Sequence, residues 1–420
     1  MRLTQKSWLP EANIFHLPYG AFEVEDTQHL AVAVGTHLLD LHAAADLLPP
    51  TLKAACQAPV LNPLMSLGPR AWTLLRESLT RLLSADSPSR KKTEAALHSI
   101  AGAMLVKPVL IPNYTDFYAS IHHATRVGRL FRPNQPLLPN YKHIPIGYHG
   151  RASSILPSGV PIIRPTGQTR PASDGSRPNF GPTKALDYEL ELAFYIGQPN
   201  LLGTPIPVAK ASKHLFGVSL LNDWSARDLQ SWESQPLGPF LSKSFATSIS
   251  PWITPMAALE PYLVPMHPRP KDDPKPLKYL ASRAQIPNIN LEVSITTETM
   301  RANNLASFRL SQSSLRDLYW SPAQLIAHHT SNGCNLQTGD LLATGTISGP
   351  PDSSAGCLLE LTRNGAEPIK LPTGEVRSFL SDGDEIILRA HAKAPGQPRL
   401  ELGECRAAIL PARRWPTVSR

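Results

Sequence analysis

The chain has 420 residues, more than a single hydrophobic core usually supports, so we expect two domains. A hydrophobic fraction of 42%, with 7% aromatic residues, excludes an intrinsically disordered chain. The net charge of +8 would suit an anionic partner, but lysine and arginine are scattered rather than gathered in a stripe with aromatic residues. We therefore expect no nucleic acid partner, whereas attraction of a small carboxylate substrate agrees with the charge.

The four cysteines lie far apart, and no two of them have the CxxC spacing of a redox or zinc motif. This pattern indicates a reduced, intracellular protein and predicts a cytoplasmic location. We expect no membrane span, because no run of about 18 apolar residues exists, and no secretory signal, because the N-terminus has no apolar stretch. The 43 prolines predict many fixed turns and argue against a helical bundle.

The first part of the chain has the pattern of a small mixed domain. Residues 29–41 contain two apolar runs broken at Gly35-Thr36, which predicts a hairpin. Apolar residues recur at helical spacing over 66–83, and a second helix is predicted over 92–104. We expect the connection between two units at residues 108–112. The predicted domains are therefore 1–112 and 113–420.

Residues 116–130 have the pattern of a helix that Thr115 or Asp116 caps. Asp116 and His123 are two helical turns apart in this interpretation, so we expect them on nearly the same face. A carboxylate and an imidazole on one face can act together in catalysis. Taken alone, however, this spacing favours the simpler interpretation, in which Asp116 caps the helix and His123 is an ordinary, partly exposed histidine.

Residues 186–196 predict a strand, because polar and apolar residues alternate with period two. Glu189 and Glu191 then lie on the same face, where their two carboxylates repel each other. The stretch alone leaves two interpretations open. The face is either solvated, or it holds a cation between the two acids, since an unpaired buried charge is costly.

Another acid ends the apolar run 216–223, at a predicted junction of strand and helix. This residue is Asp223, and Arg227 and Gln230 follow it at i+4 and i+7, so they would share its helical side. Lys243 and Thr247 lie in the Pro-, Gly- and Ser-rich loop that comes next.

The rest of the sequence adds mostly strands and loops. Turns and short strands are predicted from Phe131 to Thr183, where Pro, Gly and Arg are frequent. The later predicted elements are a proline-rich surface excursion at 260–288, strands at 289–298, 358–363 and 385–392, and a helix at 321–330. The sum predicts a mostly β protein of the α+β class.

Four acids thus stand at predicted strand ends or helix starts: Asp116, Glu189, Glu191 and Asp223. A set of carboxylate ligands selects a hard cation, Ca²⁺ or Mg²⁺, and does not select zinc, which prefers histidine and cysteine. The chain has no Walker loop, GxSxG elbow or Rossmann glycine signature in context. This argues against nucleotide hydrolysis, serine esterase chemistry and dinucleotide redox chemistry.

The order of the longer motifs resembles that of the fumarylacetoacetase (fumarylacetoacetate hydrolase) family, over nearly the whole chain. The motifs are LPYG at 17–20, LNPLMSLGPRAW at 61–72, YTDFY at 114–118, HHATRVG at 122–128, GYHGRASS at 147–154, LDYELELAF at 186–194, LLNDWSARDLQ at 220–230, PLGPFLSKSFATSISPW at 236–252, NGCNLQTGDLLATGTISGP at 332–350 and SDGDE at 381–385. The resemblance implies a small N-terminal SH3-like barrel, a larger C-terminal β-sandwich roll of the fumarylacetoacetase type, and a homodimer.

The resemblance also implies roles for single residues. The implied metal ligands are Asp116, Glu189, Glu191 and Asp223, with Lys243 and Thr247 beside the metal. The implied catalytic residues are His123 as general base, Glu360 as the acid that orients it, and Arg227, Gln230 and Lys243 as groups that stabilise the leaving carbanion. The implied substrate contacts are Tyr118, Arg132, Tyr148, Gln230 and Thr346.

The implied activity is metal-dependent hydrolysis of the carbon–carbon bond of 4-fumarylacetoacetate to fumarate and acetoacetate, the last step of tyrosine and phenylalanine degradation. The residue types make sense of this reaction. His123, held by Glu360, would remove a proton from water, which then attacks a carbonyl. The carbon leaving group departs readily only as an enolate, so cations are needed at its oxygen.

One position departs from the family pattern. Ser234 stands where the family commonly has a tyrosine that touches the substrate, and serine cannot fill the same space. Hydrolysis of another acylpyruvate or 1,3-diketo acid therefore stays open, as does the decarboxylation of a 2-oxo acid known in the wider family. A water-activating base argues against decarboxylation, and the intact acids and base argue against a non-enzymatic binding protein.

Overall fold

A computed structural model describes residues 6–10, 12–171, 173, 176–283 and 285–416. The described chain is a mixed structure with mostly strands, which confirms the predicted class. Its helices are α1 (Pro50–Cys56), α2 (Asn62–Ser66), α3 (Pro69–Leu83), α4 (Arg90–Glu94), α5 (Ile121–Phe131), α6 (Arg227–Glu233), α7 (Met256–Leu259), α8 (Glu298–Ala302), α9 (Pro322–His329) and α10 (Leu358–Leu361). Within the described ranges, no helix is long and apolar enough to cross a membrane.

The strands, in chain order, are β1 (Tyr19–Val24), β2 (Thr27–Val34), β3 (His37–Asp40), β4 (Leu97–Ser99), β5 (Leu105–Val106), β6 (Tyr114–Phe117), β7 (Gly147–Gly150), β8 (Ile155–Pro157), β9 (Ile162–Ile163), β10 (Thr166–Thr169), β11 (Asn179–Pro182), β12 (Leu186–Asp187), β13 (Leu190–Ile196), β14 (Leu215–Asp223), β15 (Ser225–Ala226), β16 (Thr247–Ile249), β17 (Thr254–Pro255), β18 (Leu263–Pro265), β19 (Gln285–Pro287), β20 (Ile289–Thr296), β21 (Phe308–Ser314), β22 (Leu341–Ala343), β23 (Ile369–Lys370), β24 (Val376–Arg377), β25 (Glu385–Ala392) and β26 (Leu400–Leu410).

The N-terminal region contains a five-stranded sheet in the order β4-β3-β2-β1-β5. The predicted hairpin is confirmed, since Val34 of β2 pairs with His37 of β3 around Gly35, which has a φ of +61°. The predicted helix over 66–83 is confirmed as α3, which buries Leu75 and Leu79.

The predicted helix over 92–104 is wrong. Helix α4 ends at Glu94, and the chain continues as β4, whose Leu97 pairs with Leu39 at the edge of the sheet. Gly102, with a φ of +86°, turns the chain before β5. Strand pairing at the sheet edge therefore overrides the helical pattern.

A central sheet carries most of the residues predicted to be functional, in the order β7-β6-β22-β13-β14-β16-β8. Strand β13 is buried on both faces, as expected for the centre of a covered sheet. Leu192 and Phe194 belong to the core shared with the sheet β21-β20-β25-β26-β9, whereas Ala193 and Tyr195 belong to the core shared with the N-terminal region. The two cores therefore fix this strand from opposite sides.

The predicted helix over 116–130 begins later than expected. Residues Tyr114–Phe117 form the buried strand β6, in which Asp116 pairs with Ala343 of β22. The helix begins at Ile121, where the Ser120 side chain accepts a hydrogen bond from the backbone N–H of His123. Asp116 and His123 are therefore not on one helical face. Serine is a favoured N-cap, and the aromatic and β-branched residues before it favour a strand.

The predicted strand over 358–363 is also wrong. Residues Leu358–Leu361 form the single helical turn α10, and Glu360 projects from it. The strand predicted at 385–392 is confirmed as β25, and the helix predicted at 321–330 is confirmed as α9. The 260–288 segment contains the small sheet of β18 and β19 and many exposed residues, as expected of a surface excursion.

Candidate active site

Four carboxylates converge at one end of the central sheet. Asp116 comes from β6, Glu191 from β13, Glu189 from the position just before β13, and Asp223 from the end of β14. One oxygen of each lies within 4.8 Å of the others, and all four residues are buried. The alternative of a solvated strand face is thereby excluded for Glu189 and Glu191, which are 5% and 0% exposed.

The sheet register brings these acids together. Leu190 of β13 pairs with Asn222 of β14, so Glu189 and Asp223 lie beside each other across the two strands. The Asn222 side chain accepts the backbone N–H of Glu189 at 3.0 Å, which holds the strand where β13 begins. Neighbouring strands thus place acids that are far apart in the sequence at the same edge.

Two cations neutralise one half of this cluster. The ammonium group of Lys243 donates to Glu189 Oε2 at 2.5 Å and to Asp223 Oδ2 at 2.7 Å, and Arg227 Nη1 donates to Glu189 Oε1 at 2.7 Å. Burial alone would raise the pKa of Glu189, but the charges of Lys243 and Arg227 outweigh it and lower that pKa. As an ammonium group Lys243 has no lone pair for a metal, so beside the predicted metal site it can serve only as a counter-charge.

The other half contains Asp116 and Glu191 and has no side-chain cation bound to it among the described residues. The backbone N–H of Gly345 donates to Asp116 Oδ1 at 3.1 Å and to Glu191 Oε2 at 3.0 Å. Burial, together with repulsion from the neighbouring acids, raises the pKa of both carboxyl groups well above their ordinary values. Glu191 Oε1 is buried, with no hydrogen-bond partner in the described part of the chain.

This arrangement fits a hard divalent cation. Four buried carboxylates need more positive charge than the two side chains supply, and an orphaned carboxylate oxygen is left with nothing to accept. Two hydroxyl groups complete the surroundings of Asp223: Thr247 Oγ1 donates to its Oδ1 at 3.0 Å, and Tyr148 donates to its Oδ2 at 2.7 Å.

A buried histidine–glutamate pair lies nearby. His123 Nδ1 is 2.6 Å from Glu360 Oε1, and both side chains are almost completely buried. Burial alone would raise the pKa of Glu360, but its contact with His123 outweighs this and lowers the pKa to about 2. Because an ionised carboxylate can only accept, His123 donates through Nδ1, and in a neutral ring the lone pair is then on Nε2.

Three further donors hold Glu360 in place. Ser348 Oγ donates to Oε1 at 2.7 Å, Cys357 Sγ lies 3.3 Å from the same oxygen, and Arg126 Nη1 donates to Oε2 at 3.2 Å. Arg126 also donates to backbone carbonyl groups of residues 349–351, which ties α5 to the loop before α10. The pair is therefore rigidly supported.

The remaining predicted site residues lie at different depths. Gln230 Oε1 accepts Arg227 Nη1 at 3.2 Å, and the Tyr118 ring meets the His123 ring edge to face at 5.1 Å. Thr346 is buried, and its hydroxyl has no partner among the described residues. Arg132 follows the C-terminus of α5 and is exposed, so it is free to reach an anionic ligand.

Sequence reasoning missed several of these groups. Gly345 was one of many glycines, but a Cβ there would lie 2.1 Å from the backbone oxygen of Phe117, so the close approach of its N–H to the acids requires glycine. Asp187 stands in the same motif as Glu189 and Glu191, and this proximity in the sequence could have marked it as a candidate site residue. Arg126 and Ser348 gave none, because their contacts with Glu360 join segments distant in the sequence.

The chain is similar to known proteins along nearly its whole length. A family model described as Fumarylacetoacetase N-terminal matches residues 15–112, and one described as Fumarylacetoacetate (FAA) hydrolase C-terminal matches residues 113–409. The chain is 46% identical over 412 residues to fumarylacetoacetase from Bos taurus, covering 95% of this chain and 96% of that protein. It is 45% identical over 411 residues to the enzyme from Homo sapiens, with the same coverage of both chains.

Solved structures share the fold at much lower identity. The fumarylacetoacetate hydrolase from Exiguobacterium antarcticum aligns with a TM-score of 0.52 at 18% identity, covering 94% of this chain and 100% of that chain. A maleylpyruvate hydrolase from Sphingobium aligns with a TM-score of 0.50 at 16% identity, with the same coverage. At this identity the likeness concerns the fold alone.

Proposed function

The chain belongs to the fumarylacetoacetase family, and from this membership we propose how its site works. It is a hydrolase that acts on a carbon–carbon bond of a ketonic substance, and it converts 4-fumarylacetoacetate to fumarate and acetoacetate. The observation that carries the assignment of the site is the His123–Glu360 pair beside four buried carboxylates.

The residues that would hold a divalent cation are Asp116, Glu189, Glu191 and Asp223. We propose Ca²⁺ or Mg²⁺, because both prefer oxygen ligands and all four residues supply carboxylates. When bound, such a cation supplies Lewis-acid polarisation of a substrate carbonyl group. Thr247 and Tyr148 keep the Asp223 carboxylate oriented through their hydroxyl groups.

His123 acts as the general base. Its Nε2 takes a proton from water while the water oxygen attacks the carbonyl carbon of the fumaryl group, which becomes a carboxylate of fumarate. Glu360 accepts the hydrogen bond from Nδ1–H throughout and stabilises the imidazolium that forms. Because Glu360 is itself held by Ser348 and Arg126, the imidazole needs no reorientation during the step.

The bond to the acetoacetate carbon then breaks, and its electron pair leaves as an enolate. Arg227 and Lys243 are cationic donors that stabilise this negative charge, and Gln230 orients Arg227. Arg227 Nη2 lies 2.9 Å from Asp187 Oδ2, so this carboxylate holds the guanidinium while Nη1 is directed to Glu189 and Gln230. Protonation of the enolate carbon, by the proton that His123 took, completes acetoacetate.

The carboxylates of the substrate need partners of their own. We propose Arg132 for one of them, because its exposed guanidinium suits a fork-shaped contact with a carboxylate. Tyr118, Tyr148 and Thr346 would contact the substrate between this arginine and the acid cluster. The unpartnered hydroxyl of Thr346 supports this, since a buried hydroxyl is usually hydrogen-bonded.

The experiment is to follow the loss of diketone absorbance of fumarylacetoacetate on addition of purified protein, with and without a chelator. We expect rapid loss that needs the cation and that His123→Ala abolishes. His328→Ala is the matched control, because this histidine contacts Tyr279 and lies outside the site. No loss of absorbance with folded, metal-loaded protein would contradict the proposed substrate.

A second candidate substrate is another acylpyruvate or 1,3-diketo acid. The observation that favours it is that Ser234 Oγ donates to the backbone oxygen of Gln230 at 2.6 Å, so this side chain is turned back onto α6. Diketo acids with larger and smaller acyl groups should then be compared with fumarylacetoacetate by kcat/KM. The decarboxylase alternative is tested by adding a 2-oxo acid such as oxaloacetate and measuring the release of carbon dioxide.

We propose the biological setting from family membership. The reaction is the last step of tyrosine and phenylalanine degradation, in the cytoplasm, and the protein acts as a homodimer on a small anionic substrate. We further propose that residues 1–112 form an SH3-like domain around the five-stranded sheet and that 113–420 form the catalytic β-sandwich roll. Light scattering of the purified protein and expression of residues 113–420 alone would test these two statements.

A further inference from the structure

One buried carboxylate outside the acid cluster joins two parts of the site. Asp187 ends β12 and is completely buried. Its Oδ1 accepts the backbone N–H groups of Tyr188 at 2.9 Å and Leu358 at 2.8 Å. Its Oδ2 accepts the backbone N–H of Leu359 at 2.9 Å and Nε of Arg227 at 2.9 Å.

These partners belong to two catalytic groups that do not contact each other directly. Leu358 and Leu359 begin α10, the single turn that presents Glu360 to His123. Arg227 begins α6 and directs its other side, through Nη1, to Glu189 and Gln230. Asp187 therefore lies between the group that orients the base and the group that stabilises the leaving enolate.

The backbone of α10 and the Nε side of Arg227 both need a partner from outside their own segments. Helix α10 has four residues, and its N-cap residue Cys357 makes no side-chain capping bond, so the first N–H groups need an acceptor from elsewhere. A guanidinium group has several rotatable bonds, and only a fixed partner at Nε sets the direction of its Nη groups. One carboxylate satisfies both requirements.

We propose that Asp187 is a positioning residue that fixes Arg227 and Glu360 relative to each other, so that base and enolate-stabilising cation act on one bound substrate. This inference rests on the proposed function, because it takes the roles of those two residues from it. Asp187 itself does not contact the substrate in this proposal; it acts through its partners.

The first arm of the test is kinetic and uses Asp187→Asn. The asparagine side chain keeps one acceptor oxygen, but its NH₂ group then faces N–H donors of its partners. It can therefore no longer accept hydrogen bonds from both α10 and Arg227. We expect kcat to fall by about 10- to 100-fold, the usual loss for a partner behind a site residue, while KM changes by less than about threefold.

A double-mutant cycle separates positioning from general destabilisation. If Asp187 acts in part through Arg227, the variant Asp187→Asn/Arg227→Lys should retain more activity than the product of the two single losses predicts. If the two losses instead multiply, or if kcat of Asp187→Asn is unchanged at full folding, the proposal is overturned. Non-additivity is not expected from a defect that only lowers the folded fraction.

The second arm needs neither activity nor folding of an Asp187 variant. Hydrogen exchange of the backbone amides of Leu358 and Leu359 is compared between the parent protein and Arg227→Lys. Loss of the Nε contact should loosen Asp187 and speed exchange at α10 by about tenfold, although no hydrogen bond joins Arg227 to that helix in the described part of the chain. Unchanged exchange at α10 would show that the two partners are not coupled and would overturn the proposal.

The matched control is another buried aspartate–arginine pair. Asp384 accepts Nε and Nη2 of Arg377 at 2.8 and 2.9 Å and the backbone N–H of Ser381 at 2.8 Å, and it lies outside the site. We expect Asp384→Asn and Arg377→Lys to lower stability without changing kcat or KM. Amide exchange at α10 should also be unchanged. An inactive parent protein would count against the proposed function, whereas the exchange arm would still decide the coupling.

Discussion

The acid cluster and the His123–Glu360 pair are both built from buried carboxylates, but they differ in how well the protein neutralises them. Glu360 accepts hydrogen bonds from His123, Ser348 and Arg126 and is ionised, with its pKa lowered to about 2. In the cluster, four carboxylates share Lys243 and Arg227, and Arg227 is also bound by Asp187.

The difference shows that burial alone does not decide the state of a carboxylate. The pair is complete within the protein, so it can work as a fixed base and orienting acid. The cluster is deficient in positive charge at Asp116 and Glu191, whose pKa values burial and repulsion raise. This difference in charge balance agrees with the proposed roles, proton transfer for the pair and cation binding for the cluster.

The largest effect is expected from removing the cation of the neutralised half. Lys243→Met leaves Glu189 and Asp223 buried without their ammonium partner. We expect the free energy of unfolding, measured by urea denaturation in chelator, to fall by about 3–5 kcal/mol. Activity should be lost as well, since Lys243 is a proposed donor to the leaving enolate.

The control for this substitution is a lysine at the surface. Lys53 pairs with Asp46, and both side chains are largely exposed, so Lys53→Met should leave the unfolding curve where it was. Equal stability of Lys243→Met and the parent protein would mean that Glu189 and Asp223 need no cation. The acid cluster and the His123–Glu360 pair would then not differ in how far neutralisation matters.

The next effect concerns the pH dependence of the complete pair. Burial raises the pKa of Glu360, but contact with His123 outweighs this, so the folded pKa is about 2 against an ordinary 4.5. A depressed pKa stabilises the fold above pH 4.5, and this stabilisation is lost as the pH falls from 4.5 to about 2. The contribution is roughly 3 kcal/mol.

Glu360→Gln should therefore lower stability near neutral pH yet lose less of it across that acidic window than the parent protein. Thermal unfolding at stepped pH measures the difference. Glu404→Gln is the control, because Glu404 pairs with Arg389 at the surface and should leave the acid-dependent loss unchanged. Parallel pH curves for Glu360→Gln and the parent would show that Glu360 is not held ionised by the fold.

A third prediction addresses the deficient half of the cluster. A divalent cation at about 100 times its Kd should stabilise the parent protein by about 2.7 kcal/mol. Glu191→Gln should bind the cation about 10- to 100-fold more weakly and lose most of this gain. In chelator, the same variant should be at least as stable as the parent, because one repelled carboxylate is gone.

Isothermal titration with Ca²⁺ and Mg²⁺, combined with thermal unfolding, would measure both effects. Glu292→Gln on β20 is the control, since this residue is only partly buried and lies outside the cluster. If Glu191→Gln destabilised the chelated protein as strongly as Lys243→Met, the two halves of the cluster would not differ in charge balance.

Local sequence pattern predicted the parts of the site that a single strand determines. The alternation over 186–196 placed Glu189 and Glu191 on one face of β13, because side chains on a strand alternate with period two. The apolar run ending in Asp223 predicted the end of β14, because a continuous apolar run is typical of a strand buried on both faces. In both cases the residues concerned are neighbours in the sequence.

The pattern could not predict what distant segments impose. The helix expected from Asp116 begins instead at Ile121, because β6 pairs with β22, which lies far along the chain. Glu360 was expected on a strand, but Asp187 holds its turn as the helix α10 from a distant segment. Local propensity is a weak guide wherever such long-range pairing decides the backbone.

The smallest effect tests how much a single donor adds to the complete pair. Ser348→Ala removes the 2.7 Å hydrogen bond to Glu360 and leaves the N–H of Gly356 without its acceptor. We expect a loss of about 1.5 kcal/mol in the free energy of unfolding, together with a several-fold lower kcat, because the acceptor is charged and orients the base.

Ser313→Ala is the matched control: Ser313 is buried and donates to the neutral backbone oxygen of Ser354 at 2.8 Å. It should cost less stability and leave kcat unchanged. An equal loss of stability for both serines would show that the charge of Glu360 adds nothing to the hydrogen bond that Ser348 donates.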